Sequence, residues 1–130
     1  MKKLFAITCK YTPQKSFVYG SVDNILKHYP RSDIVIVDSC SEDKTYLADL
    51  RSKYPTVMTE DVCNQNYEYG GTVHAFNKFK NQYDVFFFLQ DTLHIVNFHR
   101  QAKCQDMYRQ KVCLCVFGIL LLLRIMHLIK

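Results

Sequence analysis

Apolar residues in this chain fall into two kinds of run, and the kinds alternate. Leu4-Phe5-Ala6-Ile7-Thr8-Cys9, Ile34-Val35-Ile36-Val37 and Val85-Phe86-Phe87-Phe88-Leu89 are continuous, with no polar residue at every second position. Such runs read as strands buried on both faces, as in a parallel sheet. Between them the spacing turns helical. Val18, Val22, Ile25, Leu26 and Tyr29 mark a helix over about 16–29 that Pro30 ends, and Leu47, Leu50 and Tyr54 mark one over about 43–54 that Pro55 closes. Thr56-Val57-Met58-Thr59 reads as a short third strand, and Val73, Phe76 and Phe79 give a further helix its apolar face. Strand, helix, strand, helix, strand is the βαβ alternation, which predicts an α/β domain with right-handed crossovers.

Two of the strands end in acids. Val37 is followed by Asp38-Ser39-Cys40-Ser41-Glu42-Asp43, and Leu89 by Gln90-Asp91-Thr92. Open α/β sheets bind their ligands at the carboxyl ends of the strands, so Asp38 and Asp91 are candidate ligand contacts. Ser41 is placed to cap the next helix, whose positive end suits Glu42 and Asp43. An ordinary strand-loop-helix joint with a capping serine accounts for the first acid equally well. A strand-terminal turn without a metal does the same for the second.

The segment from Asn64 to Gly71 is polar and aromatic, with Gly70 and Gly71 expected immediately before the third helix. Paired glycines there let the backbone approach a ligand, and helix N-terminal amides favour a phosphate. A tight turn explains the pair about as well.

Taken together the motifs resemble a family. Val37, Asp38, Ser41, Asp43 and Thr45 follow the V-D-x-x-S-x-D-x-T pattern of nucleotide-sugar-dependent glycosyltransferases of the GT-A fold, especially the large inverting group typified by cellulose-synthase-like enzymes. The resemblance implies a mostly parallel, Rossmann-like sheet flanked by helices. It also implies that Asp38 contacts the base of a nucleotide-diphospho-sugar. Thr8, Tyr11 and Ser41 join it as nucleotide-binding candidates, with Gly70, Gly71 and Asn77 near the diphosphate. Gly70 or Gly71, Ala75 and Asn77 match the family's glycine-helix segment, while Phe76 stands where the family has an arginine; His74 and Lys78 are the nearest cations. Gln90-Asp91-Thr92 stands where the family carries D-x-D, whose acids hold a divalent ion on the diphosphate. With Mn²⁺ or Mg²⁺ as cofactor, Asp91 would be the main ligand, aided by Gln90 and Thr92. Such an ion offsets charge on the departing diphosphate.

The resemblance spans about residues 3–97, in the family's order. Family members continue into an acceptor site and, in inverting enzymes, a general base on the acceptor hydroxyl. Nothing after Asp91 fits that role, because Asp106 stands alone in a basic stretch. The catalytic residues are therefore not identified, and the acceptor (glycan, lipid or protein) is open. The chain resembles a donor-binding half. Two readings remain beside an active transferase: a catalytically incomplete remnant that binds nucleotide or a partner, and an unrelated Rossmann-like binder, which lacks G-x-G-x-x-G after its first strand.

Composition changes the picture mainly at the end of the chain. The 130 residues suit one core, and 48% apolar content argues for a folded protein. The net charge of +5 resides entirely after Asn97: residues 1–97 hold 11 Lys/Arg and 11 Asp/Glu, and residues 98–130 hold six Lys/Arg and one Asp. The domain therefore carries no electrostatic footprint for nucleic acid. Val112–Ile129 is apolar apart from Arg124 and His127. As a helix it would span roughly 27 Å, just under a hydrocarbon core of about 30 Å. We therefore expect residues 1–97 to be the GT-A-like domain and 98–130 a basic, then apolar, tail with a C-terminal helix. That helix would be packed, interfacial or a marginal membrane anchor, with Cys113 and Cys115 open to acylation. A foreign ending from a frameshift or truncation is the alternative. The cysteines at 9, 40, 63, 104, 113 and 115 form no C-x-x-C and no zinc spacing. No secretory leader is evident either, since Lys10 interrupts a short apolar run. These features predict free thiols in the cytoplasm, with membrane association through the tail.

Overall fold

The computed structural model describes residues 1–63 and 67–92 with their side chains, and the backbone of 111–116 and 119–123. Seven elements alternate along the first part: β1 (Lys3–Cys9), α1 (Val18–His28), β2 (Asp33–Asp38), α2 (Thr45–Lys53), β3 (Met58–Asp61), α3 (Tyr67–Phe79) and β4 (Val85–Gln90). The four strands form a parallel sheet in the order β3-β2-β1-β4, as the continuous apolar runs predict. Both faces are covered. Phe5, Ile7, Ile34, Ile36, Phe87 and Leu89 point to a cluster closed by Val18, Val22 and Ile25 of α1 and Tyr46, Leu47 and Leu50 of α2. Leu4, Ala6, Val35, Val37, Phe86 and Phe88 point the other way, onto Ala75 and Phe79 of α3. Each large side chain removed from water contributes roughly 1.5–3 kcal/mol, which is why no polar alternation survives in these strands.

α3 differs from its predicted form in two respects. Gly70 and Gly71 lie inside it, as its fourth and fifth residues, and not ahead of it. The helix instead starts at Tyr67, whose φ is 41°. Its buried stripe is Gly71, Ala75 and Phe79, so Val73 is left exposed and Phe76 packs only partly against the core. The reason is steric. A Cβ on Gly71 would stand 2.6 Å from Thr8 Cγ2, so the glycine lets α3 lie directly on β1 and sets the rotation of the helix.

A second departure lies at the start of α2. Ser41 does not cap it. The helix begins four residues later, and Asp43 accepts hydrogen bonds from the Thr45 N–H at 2.8 Å and the Thr45 hydroxyl at 2.7 Å. Those bonds hold the exposed Asp43 carboxyl below its ordinary pKa. Ser41 is turned inward to Asp38, a stronger competitor for its hydroxyl than a helix end several residues away.

Along the free edge of β4 the described backbone continues the sheet. β5 (Lys111–Val116) pairs parallel to β4 from Val85↔Lys111 to Phe88↔Leu114, and β6 (Ile119–Leu123) turns back antiparallel on β5. The expected C-terminal apolar helix falls partly on residues outside the described ones. Where residues 111–116 and 119–123 are described, the backbone is extended.

Candidate functional site

The sheet order places a topological switch between β1 and β4. From β1 the chain winds outward through β2 and β3 on one side, then crosses to β4 on the other. Ligands of open α/β sheets bind outside the carboxyl ends of strands at such a point. Thr8, Asp38 and Gln90–Asp91 all lie on that edge, with Thr8 in register with Val37 and Gln90, and Cys9 with Asp38. Asp38 and Asp91 are thus not on adjacent strands, because β1 runs between them.

Asp38 is fully buried. Its Oδ1 accepts the Ser41 N–H at 3.1 Å, and its Oδ2 accepts the Tyr46 phenol at 2.6 Å and the Ser41 hydroxyl. Ser41 Oγ in turn accepts the Tyr11 N–H at 2.7 Å. The Tyr11 ring stacks on Tyr46, centroids 4.3 Å apart and planes 10° from parallel. A buried carboxylate therefore fixes three groups from the β2–α2 segment and, through one hydroxyl, the loop that follows β1. Burial first, then the neighbouring Cys9 and the bond to Asp38, push the Tyr46 phenol well above its usual pKa, so it stays a donor.

Asp91 makes a different set of bonds. Its Oδ2 accepts the Ser16 hydroxyl at 2.6 Å and the Cys9 thiol at 3.4 Å. Its backbone N–H donates to the Thr8 carbonyl at 3.1 Å, and its carbonyl accepts the Phe17 N–H at 2.6 Å. The residue straps the end of β4 to the end of β1 and to the start of α1. Burial raises its carboxyl pKa, against the bonds from Ser16 and Cys9 that lower it. Cys9 lies between the two acids, and burial together with the Asp91 charge pushes its thiol far above the normal range. It is therefore chemically quiet.

The rim is more open. The Gln90 side-chain amide donates to the Glu68 carboxylate in the first turn of α3. Lys10 lies over the exposed Tyr67 ring at 4.6 Å, and the Ser39 hydroxyl donates to the Tyr67 carbonyl at 3.1 Å. Thr92 is exposed at the tip of the strand end.

Of the sequence candidates, the structure gathers Thr8, Tyr11, Asp38 and Ser41 with Asp91, Gln90 and Thr92 along one edge. Gly71 is there as a packing residue against Thr8, and Gly70 lies beside it in the helix. Asn77 is not gathered. It is exposed ten residues into α3, roughly 15 Å along the axis from Tyr67. The reading from sequence missed Tyr46, Ser16 and Cys9, which hold the two acids. Tyr46 had a visible signal, since a long side chain in the first turn of a helix leans toward the helix N-terminus and so toward the acidic loop before it. Ser16 and Cys9 had none, being 75 and 82 positions from their partner.

The metal expected at Gln90-Asp91-Thr92 finds an incomplete donor set. Among the described residues no three His, Cys, Asp or Glu side chains converge to hold an ion. Asp91 is the one carboxylate of the triplet, and its Oδ2 already serves Ser16 and Cys9. The expectation of free thiols also changes. Cys40 and Cys63 are joined as a disulfide, and Cys9 is the free cysteine among the residues described with their side chains. No helix among the described residues is long and apolar enough to cross a membrane. Comparison with protein-family models, with curated proteins and with solved structures finds no match to this chain.

Proposed function

We propose that the chain is the donor-binding part of a GT-A-like glycosyltransferase, which holds a nucleotide-diphospho-sugar at the carboxyl edge of β1, β2 and β4 for transfer to a glycan, lipid or protein acceptor. The observation that carries this reading is the switch between β1 and β4, with the buried acids Asp38 at the end of β2 and Asp91 just after β4 on the same edge. The motif resemblance supplies the ligand class. In this reading the half-buried Tyr11 ring and the rim of Lys10, Tyr67 and Gln90 meet the nucleotide. Asp38 is a positioning residue that holds Tyr11 through Ser41. The oxygens of the diphosphate would supply most ligands of a Mn²⁺ or Mg²⁺ ion, with Asp91 the protein's carboxylate.

One observation favours a second reading, binding without sugar transfer. Both acids are committed to internal hydrogen bonds. Thermal unfolding across UDP-, GDP- and ADP-sugars, with and without Mn²⁺, tests binding itself. Ligand at about 100-fold over its Kd should stabilise the fold by about 2.7 kcal/mol. No shift with any member overturns the donor-site reading. A shift without release of sugar in the presence of Mn²⁺ selects the second reading over the first.

A further inference from the structure

Cys40 and Cys63 are 23 positions apart and belong to no cysteine motif, yet the sheet brings them together. β2 and β3 run parallel with Asp38 opposite Asp61, and the Val62 N–H donates to the Asp38 carbonyl at 2.9 Å. Each cysteine lies two residues beyond its register partner, so their Cα atoms stand 4.6 Å apart and their sulfurs are bonded. The bond ties down a turn that needs restraint. Cys40 has φ 59°, a left-handed conformation that a non-glycine residue holds only when its surroundings impose it. Two restraints impose it: the disulfide on one side, and the Asp38–Ser41 hydrogen bonds on the other. The same turn carries Ser39, whose hydroxyl holds the Tyr67 carbonyl where α3 begins.

We infer that Cys40–Cys63 is a reversible thiol–disulfide site that sets the order of the Ser39–Ser41 turn. Its chemistry follows from access. Cys63 is exposed and Cys40 half-buried, so an incoming small-molecule thiolate such as glutathione reaches the Cys63 sulfur. Attack there forms a mixed disulfide on Cys63, breaks the Cys40–Cys63 bond and releases the Cys40 thiolate. A second glutathione thiolate attacks the glutathione sulfur of that mixed disulfide, releasing the Cys63 thiolate and glutathione disulfide. Two electrons pass from two glutathiones to the protein, and the two protons they shed end on Cys40 and Cys63. Glutathione disulfide drives the reverse. Cys9 takes no part, being buried beneath Asp91 with its thiol held protonated. The turn also carries Ser41, which positions Tyr11 in the nucleotide reading, but the inference rests on the disulfide and the turn alone and its test reads no nucleotide.

The test uses the full chain in buffers of graded reduced-to-oxidised glutathione, with alkylation read peptide by peptide and amide hydrogen exchange read at residues 39–41. Cys40 and Cys63 should become alkylatable together while Cys9 stays protected. Reduction should speed exchange of the Ser41 amide by at least about tenfold, and lower Tm by about 10 °C. Cys63→Ser, at an exposed position, should show the fast exchange in every buffer and lose its response to glutathione at these residues. The inference is overturned if the two cysteines react independently, if the bond survives millimolar dithiothreitol until the protein unfolds, or if exchange at 39–41 ignores the redox state.

Discussion

Asp38 and Asp91 are both buried aspartates at the carboxyl ends of parallel strands, and they are held in opposite ways. Asp38 gathers donors from its own neighbourhood, Ser41 three positions on and Tyr46 eight, with Tyr11 joined through the serine. Asp91 gathers donors from the far end of the chain, Ser16 and Cys9, and adds two backbone bonds to the same region. The first acid organises one loop. The second closes the sheet across its switch point. Asp38 accepts three hydrogen bonds through its carboxylate and has no exposure, whereas the Asp91 carboxylate accepts two. A neutral replacement should therefore hurt the first far more than the second.

The largest effect expected is that of Asp38→Asn. An asparagine keeps one acceptor oxygen; with that oxygen toward the Ser41 N–H, its NH₂ faces the Tyr46 and Ser41 hydroxyls, which both donate to the other oxygen of Asp38. Leaving fully buried donors without an acceptor costs about 1–3 kcal/mol. We expect a loss of about 3 kcal/mol in urea unfolding, with Tyr46→Phe losing about 1 kcal/mol by removing a single donor. Equal losses for the two would mean that Asp38 does not organise its loop. Nucleotide binding, where present, should weaken in Asp38→Asn through disorder of the Tyr11 loop.

The same contrast explains what was legible in the sequence. The sheet and its helices were readable because burial on both faces leaves continuous runs such as Ile34–Val37 and Phe86–Leu89, a signal carried by adjacent residues. The Asp38 loop was readable in outline for the same reason, its partners lying within eight positions. Its detail was not. Ser41 satisfies a capping pattern, and only the three-dimensional competition between Asp38 and the helix end decides which takes its hydroxyl. Long-range pairings left no trace: Ser16 with Asp91, Cys40 with Cys63 through the Asp38↔Asp61 register, and Gly71 against Thr8. Glycines before a helix and glycines within one have the same spelling, and the difference is the close approach of α3 to β1.

That approach gives the next effect in size. Gly71→Ala places a Cβ 2.6 Å from Thr8 Cγ2 and 2.8 Å from Thr8 Oγ1, contacts a side chain buried in a strand cannot simply swing away from. Overpacking of this kind costs about 1–3 kcal/mol. Thr8→Ala removes both close atoms and leaves Cβ at 3.2 Å, so the double substitution should be more stable than the two single losses add up to. A double-mutant cycle by urea unfolding checks it. Strict additivity would mean that Gly71 is required for another reason, such as backbone approach to a ligand.

Asp91→Asn should show the smallest change, and its sign depends on pH. Burial raises the folded-state pKa of Asp91 above its unfolded value. Between the two values the folded chain binds more proton than the unfolded one, so stability falls as pH rises through that window. The favourable contribution is complete below the unfolded pKa, near 3.9, and is gone above the folded one. Asparagine keeps an oxygen for the Ser16 hydroxyl and cannot titrate, so it removes this slope. Wild type minus Asp91→Asn should therefore decline from pH 3.5 upward and then level off, leaving a difference of about 1 kcal/mol or less at pH 7. Urea unfolding of both proteins at half-unit steps of pH reads the curve. A difference that rises with pH would mean that the Ser16 and Cys9 hydrogen bonds outweigh burial. Asp91 would then be held as an anion, the state a divalent cation requires, and the contrast with Asp38 would vanish.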